Sequence, residues 1–214
     1  MNVKRLLLFS SAVATLVSLP AMADTFVTYP QPVSAYTSGT TNYGGGDASG
    51  SAISSLGPFS FSSAMTQVQV PPSWATWNSP PASESSTPNV LWGVDASTLT
   101  LTLSGSNNTA GFELEPDAFA AETVNVSFFN GATLIDTISL NPNGNGGALL
   151  FALTDTTPGA SISSIVITDT ANDDFAIAQL RAGSVSATPE PSSLMLLGTG
   201  LLGAAGMLRR RLLA

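Results

Sequence analysis

The chain of 214 residues carries six Lys and Arg against fourteen Asp and Glu, a formal net charge of −8 at pH 7, and contains neither His nor Cys. Without those two residue types there is no thiolate zinc site, Cys nucleophile, c-type haem attachment, Ser-His-Asp triad or imidazole general base. Five of the six bases lie at the two ends, so Asp24 to Thr188 holds thirteen acids and one arginine, a formal charge of −12 that phosphate backbones repel, and nucleic acid is excluded as a partner.

The first segment, "MNVKRLLLFSSAVATLVSLPAMADTF", has the three parts of a secretory signal peptide. Lys4 and Arg5 form the positive region, Leu6 to Leu19 the apolar region, and Ala21-Met22-Ala23 a small-residue cleavage site before Asp24. The mature chain is expected to begin near Asp24. Export of a chain without Cys means no disulfides, so stability must come from a packed core.

Asp24 to Pro88 is less regular. "SGTTNYGGGDASGS" is Gly/Ser-rich and is not expected to build a core, "PFSFS" and "MTQVQVPP" read as short strands, and "SWATWNSPPASESSTP" as a Pro-framed loop. Trp74 and Trp77 in that loop, between Pro71-Pro72 and Pro80-Pro81, are candidates for a stiff aromatic sugar platform, with Trp92 a further one. The competing reading has all three rings filling a core or covering its edge.

From Leu99 onward the period of two dominates. "STLTLTLSG" alternates Leu with Thr, "TVNVSFFNG" alternates Val124, Val126 and Phe128 with Asn125 and Ser127 and ends on an Asn-Gly turn signal, and "TLIDTISLNPNGNGG" supplies the return strand and a loop. "ALLFALTD", "SISSIVITDT" and "DFAIAQLRAG" follow at the spacing of antiparallel all-β domains. The expected fold is all-β, an antiparallel two-sheet β-sandwich of jelly-roll type, because strands with one apolar face need a second sheet to bury it.

Two constellations in this region could carry chemistry. Glu113 and Glu115 in "GFELEP" share one strand face, with backbones about 6.6–6.8 Å apart, a spacing at which paired carboxylates hydrolyse glycosidic bonds. Phe112 and Leu114 then face the core, so the simpler expectation is a solvated outer face, and no catalytic residue is assigned. Asp169, Asn172, Asp173 and Asp174 crowd hard oxygen ligands into one loop, as a Ca²⁺ site would require, although the spacing fits no helix-loop-helix calcium motif and a plain polar turn is favoured. No other cofactor is expected.

The chain closes on "ATPEPSSLMLLGTGLLGAAGMLRRRLLA". Ser192 to Leu208 is an uncharged run whose length, at about 1.5 Å per residue, gives roughly 25 Å, the short limit for crossing a bilayer. Arg209, Arg210 and Arg211 stop transfer and stay in the cytoplasm, leaving the body outside.

Pro189-Glu190-Pro191, an apolar helix and an arginine cluster, in that order, resemble the PEP-CTERM sorting signal of Gram-negative bacteria. The resemblance implies recognition by the membrane-embedded enzyme exosortase and cleavage near the Pro-Glu-Pro motif. The run from Leu99 to Ala182 is similar to a domain that PEP-CTERM proteins often carry, which implies a β-sandwich.

The expected organisation is a signal peptide at 1–23, an irregular region with short strands at 24–88, the sandwich core at 89–183, a linker with the motif at 184–191, a transmembrane helix at 192–208 and a cytoplasmic tail at 209–214. The expected partners are exosortase, the secretion machinery, the inner membrane at least transiently, and exopolysaccharide. The expected role is a non-catalytic exported protein of the cell surface or matrix. The alternatives are a Ca²⁺-assisted carbohydrate-binding module and a secreted glycoside hydrolase.

Overall fold

A computed structural model describes residues 26–185 apart from Asp95 and Asn172. In chain order the elements are β1 (Phe26–Thr28), a single helical turn α1 (Ser34–Thr37), β2 (Thr40–Gly44), β3 (Ala52–Leu56), β4 (Phe59–Gln69), β5 (Asn89–Gly93) and β6 (Thr98–Leu103). They continue with β7 (Thr109–Pro116), β8 (Val124–Asn130), β9 (Thr133–Leu140), β10 (Leu149–Asp155), β11 (Ser164–Asp169) and β12 (Phe175–Gly183). The described chain is all-β and its strands pair antiparallel, as the alternating sequence requires.

One hydrogen-bonded path, β1-β10-β7-β12-β5-β4-β6-β11-β8-β9, runs through the whole domain, with β2 beside β12 and β3 beside β4. The last strand, β9, comes back against β1 and β10 without laddering onto them, so the sheet is nearly closed. The two halves of the path are continuous because β4 belongs to both. Phe59 to Phe61 pair with β6, whereas Thr66 to Gln69 pair with β5. Between these stretches Ser62, Ser63 and Ala64 are exposed, where the strand passes from one half to the other.

Alternation places the core. In β6 the leucines are buried and the threonines are not, and β8 and β11 repeat the pattern. Leu99, Leu101, Val126 and Ile167 from one half meet Phe112, Leu114, Phe151 and Ile177 from the other in a single cluster. The β8–β9 hairpin closes with Asn130 opposite Thr133 and Gly131 at φ 58°, the left-handed position that the Asn-Gly signal anticipates.

The division at 88/89 is not a structural boundary. β4, the longest strand, comes from the region read as irregular and contributes Phe59, Phe61 and Met65 to the core. Part of the Gly/Ser-rich stretch is β2, paired with β12. Glycine and serine were poor guides there because β2 lies against an already formed strand and needs little apolar surface of its own.

A bulge in β12 resets the side-chain parity. Phe175 and Ile177 face the main core and Ala176 and Ala178 the outer face, but beyond Gln179 it is Leu180 and Ala182 that return to the core. The register records the extra residue: Ala178 pairs with Glu113 and Arg181 with Gly111, three steps on β12 against two on β7. Gln179 takes up the irregularity at φ 52° and accepts a hydrogen bond from Asn42 Nδ2 at 2.6 Å. Were Gln179 to take an ordinary place in the alternation, Arg181 would point into the apolar core.

Deleting Gln179 removes the extra residue and leaves Ala178 outward, Leu180 inward and Arg181 outward in unbroken alternation, so a cooperative unfolding transition is expected to survive, weakened by loss of the Asn42–Gln179 hydrogen bond. Gln179→Gly, which keeps the bulge and tolerates positive φ, is expected to fold. Urea denaturation followed by circular dichroism checks both; a deletion variant that has lost its cooperative transition would refute the parity argument.

Candidate functional site

The outer face of β7, β12 and β5 is not open to solvent. The loop between β4 and β5 lies over it and packs Val70, Trp74 and Trp77 against Val90, Ala176 and Ala178, forming a second apolar cluster. The alanines leave room for the indole rings, and Trp74 meets Trp92 edge-on with centroids 6.2 Å apart. Trp74 and Trp77 are only 5% and 6% exposed. This corrects the sugar-platform expectation for Trp74 and Trp77: the rings cover apolar sheet surface and do not offer a face to a ligand. Trp92 is half-buried beneath the same loop.

That roof also overturns the expected solvated face of β7. Phe112 and Leu114 do face the main core, but Glu113 and Glu115 on the other side are both 0% exposed. Trp77 Nε1 donates to Glu113 Oε2 at 2.9 Å, and the Glu84 amide donates to Oε1 at 2.6 Å. Burial lifts the Glu113 carboxyl to about 7 in spite of these donors, with Trp77 pulling it back most. For Glu115, the Thr76 hydroxyl donates to Oε1 at 2.7 Å while accepting from the Gly146 amide at 3.0 Å. Burial raises this carboxyl too, opposed first by Thr76.

The arginine that the bulge turns outward completes the roof. Arg181 Nε and Nη2 donate to Glu84 Oε1 and Oε2 at 2.6 and 2.7 Å, a two-pronged ion pair that is mostly buried. Nη1 reaches the Thr40 carbonyl at 3.2 Å. Glu84 thus holds Arg181 with its side chain and Glu113 with its backbone. Fully buried Tyr36 lies nearby, its hydroxyl raised by burial first and by Glu84 next.

A separate acidic cluster forms where the β7–β8 and β11–β12 connections meet. Two backbone ties bracket it, the Asp117 amide to the Asp174 carbonyl at 2.8 Å and the Thr170 amide to the Thr123 carbonyl at 3.1 Å. Asp169 is 1% exposed, and its Oδ1 accepts from the Ala171 amide at 2.9 Å. Asp169 Oδ2 and Glu122 Oε2 are buried and accept from no amide or hydroxyl among the described residues. Burial, a hydrogen bond that the protonated Glu122 carboxyl makes to the adjacent Asp169 carboxyl, and the charges of Asp169 and Asp173 push Glu122 up to about 7. Partial desolvation and the charges of Asp173 and Asp174 raise Asp117.

The structure thus brings Asp169 and Asp173 into one electrostatic neighbourhood with Glu122, and Asp173 and Asp174 into one with Asp117. Neither Glu122 nor Asp117 was legible as a member of this group, since each lies some fifty residues earlier in the chain and only the meeting of two connections unites them. Asn172 lies outside the described residues, as do Ala21, Ala23, Asp24, Pro189, Glu190, Pro191 and the arginines at 209–211. Among the described residues no group of three or more acidic side chains is placed to hold a metal ion, and no helix is long and apolar enough to cross a membrane.

Two expectations follow for the roofed face. A carboxyl at about 7, against 4.5 for an exposed glutamate, means that the folded chain binds more protons than the unfolded chain between those pH values. The stabilisation is full below about pH 4.5 and is lost as pH rises through about 7, and Glu115, Asp117 and Glu122 act in the same sense. Melting temperature should fall from pH 5 to pH 8, and Glu113→Gln should flatten that slope by up to about 3 kcal/mol. An unchanged slope in the variant would refute the assignment. Arg181→Met, which leaves Glu84 charged and unpaired beside Glu113, should lower stability by about 3–5 kcal/mol, and adding Glu84→Gln should recover part of the loss in a double-mutant cycle.

Comparison with known proteins adds one specific result. No curated protein matches the chain. Among solved structures, the enzymatically active domain of bacteriophage CBA120 tailspike protein 4 is similar at 13% identity and a TM-score of 0.34, covering 66% of this chain and 21% of that one. Residues 187–211 match the family model described as the PEP-CTERM protein-sorting motif. The match takes in the Pro-Glu-Pro triplet, the apolar run and all three terminal arginines, so the chain carries the PEP-CTERM sorting signal of exported, exosortase-sorted proteins.

Proposed function

We propose that this chain is a non-catalytic protein of the cell surface or extracellular matrix. Exosortase removes its tail near Pro189-Glu190-Pro191, and the domain is retained in association with exopolysaccharide. The observation that carries the reading is the sorting motif at 187–211, supported by the three-part signal peptide at 1–23. Arg209 to Arg211 resist leaving the cytosol, so the chain halts as a membrane-anchored intermediate with its body and Pro-Glu-Pro motif outside. On this reading the nearly closed sheet is a jelly-roll-like two-sheet sandwich that serves as a stable module in the envelope.

The non-catalytic part rests on the roofed face. Glu113 spends both carboxyl oxygens on Trp77 and Glu84, and Glu115 lies beneath the same loop, so neither is offered to a glycosidic oxygen. Buried Trp74 and Trp77 likewise leave the carbohydrate-binding alternative without its stacking surface.

Intact-mass analysis of the protein from an exosortase-bearing envelope is the deciding experiment. The expected product begins near Asp24 and lacks Ser192 to Ala214, and Glu190→Ala is expected to retain the tail in the membrane fraction. A wild-type protein that keeps its tail would overturn the processing step. Release of reducing ends from envelope polysaccharide, lost in Glu113→Gln, would overturn the non-catalytic reading.

A further inference from the structure

The seam of the nearly closed sheet opens at the end of the domain where the chain enters and leaves. β9 lies against β1 and β10 without laddering onto them. β1 starts with Phe26 opposite Asp155, and β12 ends with Gly183 opposite Thr109, itself the partner of Thr154, so both termini come out together. At that end a cavity of about 360 Å³ spans the seam, with Asn130, Thr133 and Leu134 of the β8–β9 hairpin on one wall and Asp155, Thr157 and Pro158 on the other. The direction of β1, carried upstream of Phe26, leads between these walls. Among the described residues that line the cavity, Asp155 is the one charged side chain. It shares the strand parity of core-facing Phe151 and Leu153, as does its cross-strand partner Phe26, so its carboxyl turns to the inner side of β10. Asp155 is 5% exposed, and its Oδ1 accepts from the Thr157 amide at 2.9 Å. No side-chain base answers its charge: from Phe26 to Val185 the sequence has only Arg181, which is committed to Glu84.

We infer that signal-peptide cleavage completes the fold: the new α-ammonium of Asp24 enters this cavity and pairs with Asp155, clasping the start of the chain across the seam between β10 and β9. The inference rests on the signal-peptide part of the proposed function, because it needs a free amine at Asp24. That amine stands two residues ahead of Phe26, which at about 3.3 Å per residue is about 7 Å of chain, enough to bring it beside the carboxyl opposite Phe26. An ammonium has three donors, and Thr133 and Asn130 on the facing wall carry side-chain oxygens that suit those not taken by Asp155. Before cleavage the same nitrogen is an uncharged amide from which the apolar leader runs on, so it has nothing to offer a carboxylate. The domain thus reaches its full stability only after export, when the leader has been cut.

The test uses the mature chain, residues 24–214, released without added residues from a cleavable amino-terminal fusion and kept in mild detergent. Lys4 is the only lysine and goes with the leader, so the α-amine of Asp24 is the sole amine, and reductive methylation with ¹³C-formaldehyde labels it alone for NMR. Its pKa is expected to lie about one unit above the ordinary 7.7–8.0, a roughly tenfold gain in proton affinity. Asp155→Asn keeps an oxygen for the Thr157 amide and is expected to fold. It should remove most of that shift, as should one alanine inserted ahead of Asp24. A raised amine stabilises below its ordinary pKa and ceases to do so as pH passes the shifted one. Acetylating it should therefore lower the melting temperature by about 2–4 °C at pH 7, hardly at all at pH 10, and at neither pH in Asp155→Asn. An unshifted amine in the parent would overturn the clasp, and so would a shift of equal size in Asp155→Asn, which would report only attraction to an acidic body. Intact mass of the exported chain separates the two levels: a natural start at Asp24 with an unshifted amine overturns the clasp alone, whereas a natural start elsewhere overturns the cleavage reading and the clasp with it.

Discussion

The packing of two indole rings onto the outer face of β7, β12 and β5 governs the character of this domain. A sheet in an antiparallel all-β protein commonly keeps one face wet. Here Trp74 and Trp77 descend on that face, and Ala176 and Ala178 are small enough to receive them. Everything polar beneath the rings must then be satisfied from within. Trp77 answers with its own indole N–H, Thr76 with its hydroxyl and Glu84 with its amide, so the segment that removes water from the two glutamates also supplies the donors that replace it. The loop and the strand are matched chemically as well as sterically.

The single bulge in β12 is what makes that match possible at its far end. Strand parity is unforgiving: one residue more or less sends a whole run of side chains through the sheet. By setting Gln179 aside as the extra residue of the bulge, the chain keeps Leu180 and Ala182 in the core and Arg181 on the side where Glu84 waits. The only base between Phe26 and Val185 is thereby placed against an acid that also touches Glu113. An acidic body can tolerate carboxylates buried near one another if its one guanidinium is put where it neutralises the nearest of them.

How far the sequence could be read depended on whether each signal was local. The Leu/Thr alternation of β6 and the Val/Asn/Ser alternation of β8 were legible because a half-buried strand states its two environments in neighbouring residues. The sorting motif was legible for the same reason, its three parts being contiguous. The strand β7 and its core-facing Phe112 and Leu114 were legible too, but its outer face was not, since that face is covered by a loop about thirty residues earlier, and a Glu that faces water is written with the same letter as a Glu that faces indole. The Pro-framed loop with its two tryptophans was a usable clue: so much apolar ring area in one short segment needs a surface to lie on, and Ala176 and Ala178 marked it. The role of β4 was hidden by Ser62 and Ser63, which interrupt its apolar pattern where it crosses between halves. Gln179 was invisible, because its left-handed conformation is imposed by the strands around it and not announced by glycine.

The position of β12 in the sheet bears on what the domain can withstand. This is the strand from which the chain runs on toward the sorting motif, and along its length it is flanked by β7 on one side and by β5 and β2 on the other. Beyond its end, Val185 is gripped by Asn108 through a pair of hydrogen bonds, amide to Oδ1 and Nδ2 to carbonyl, each at 2.9 Å. The strand that leads on toward the sorting motif is therefore an interior strand, laddered on both sides, and the domain has no border strand there to peel away.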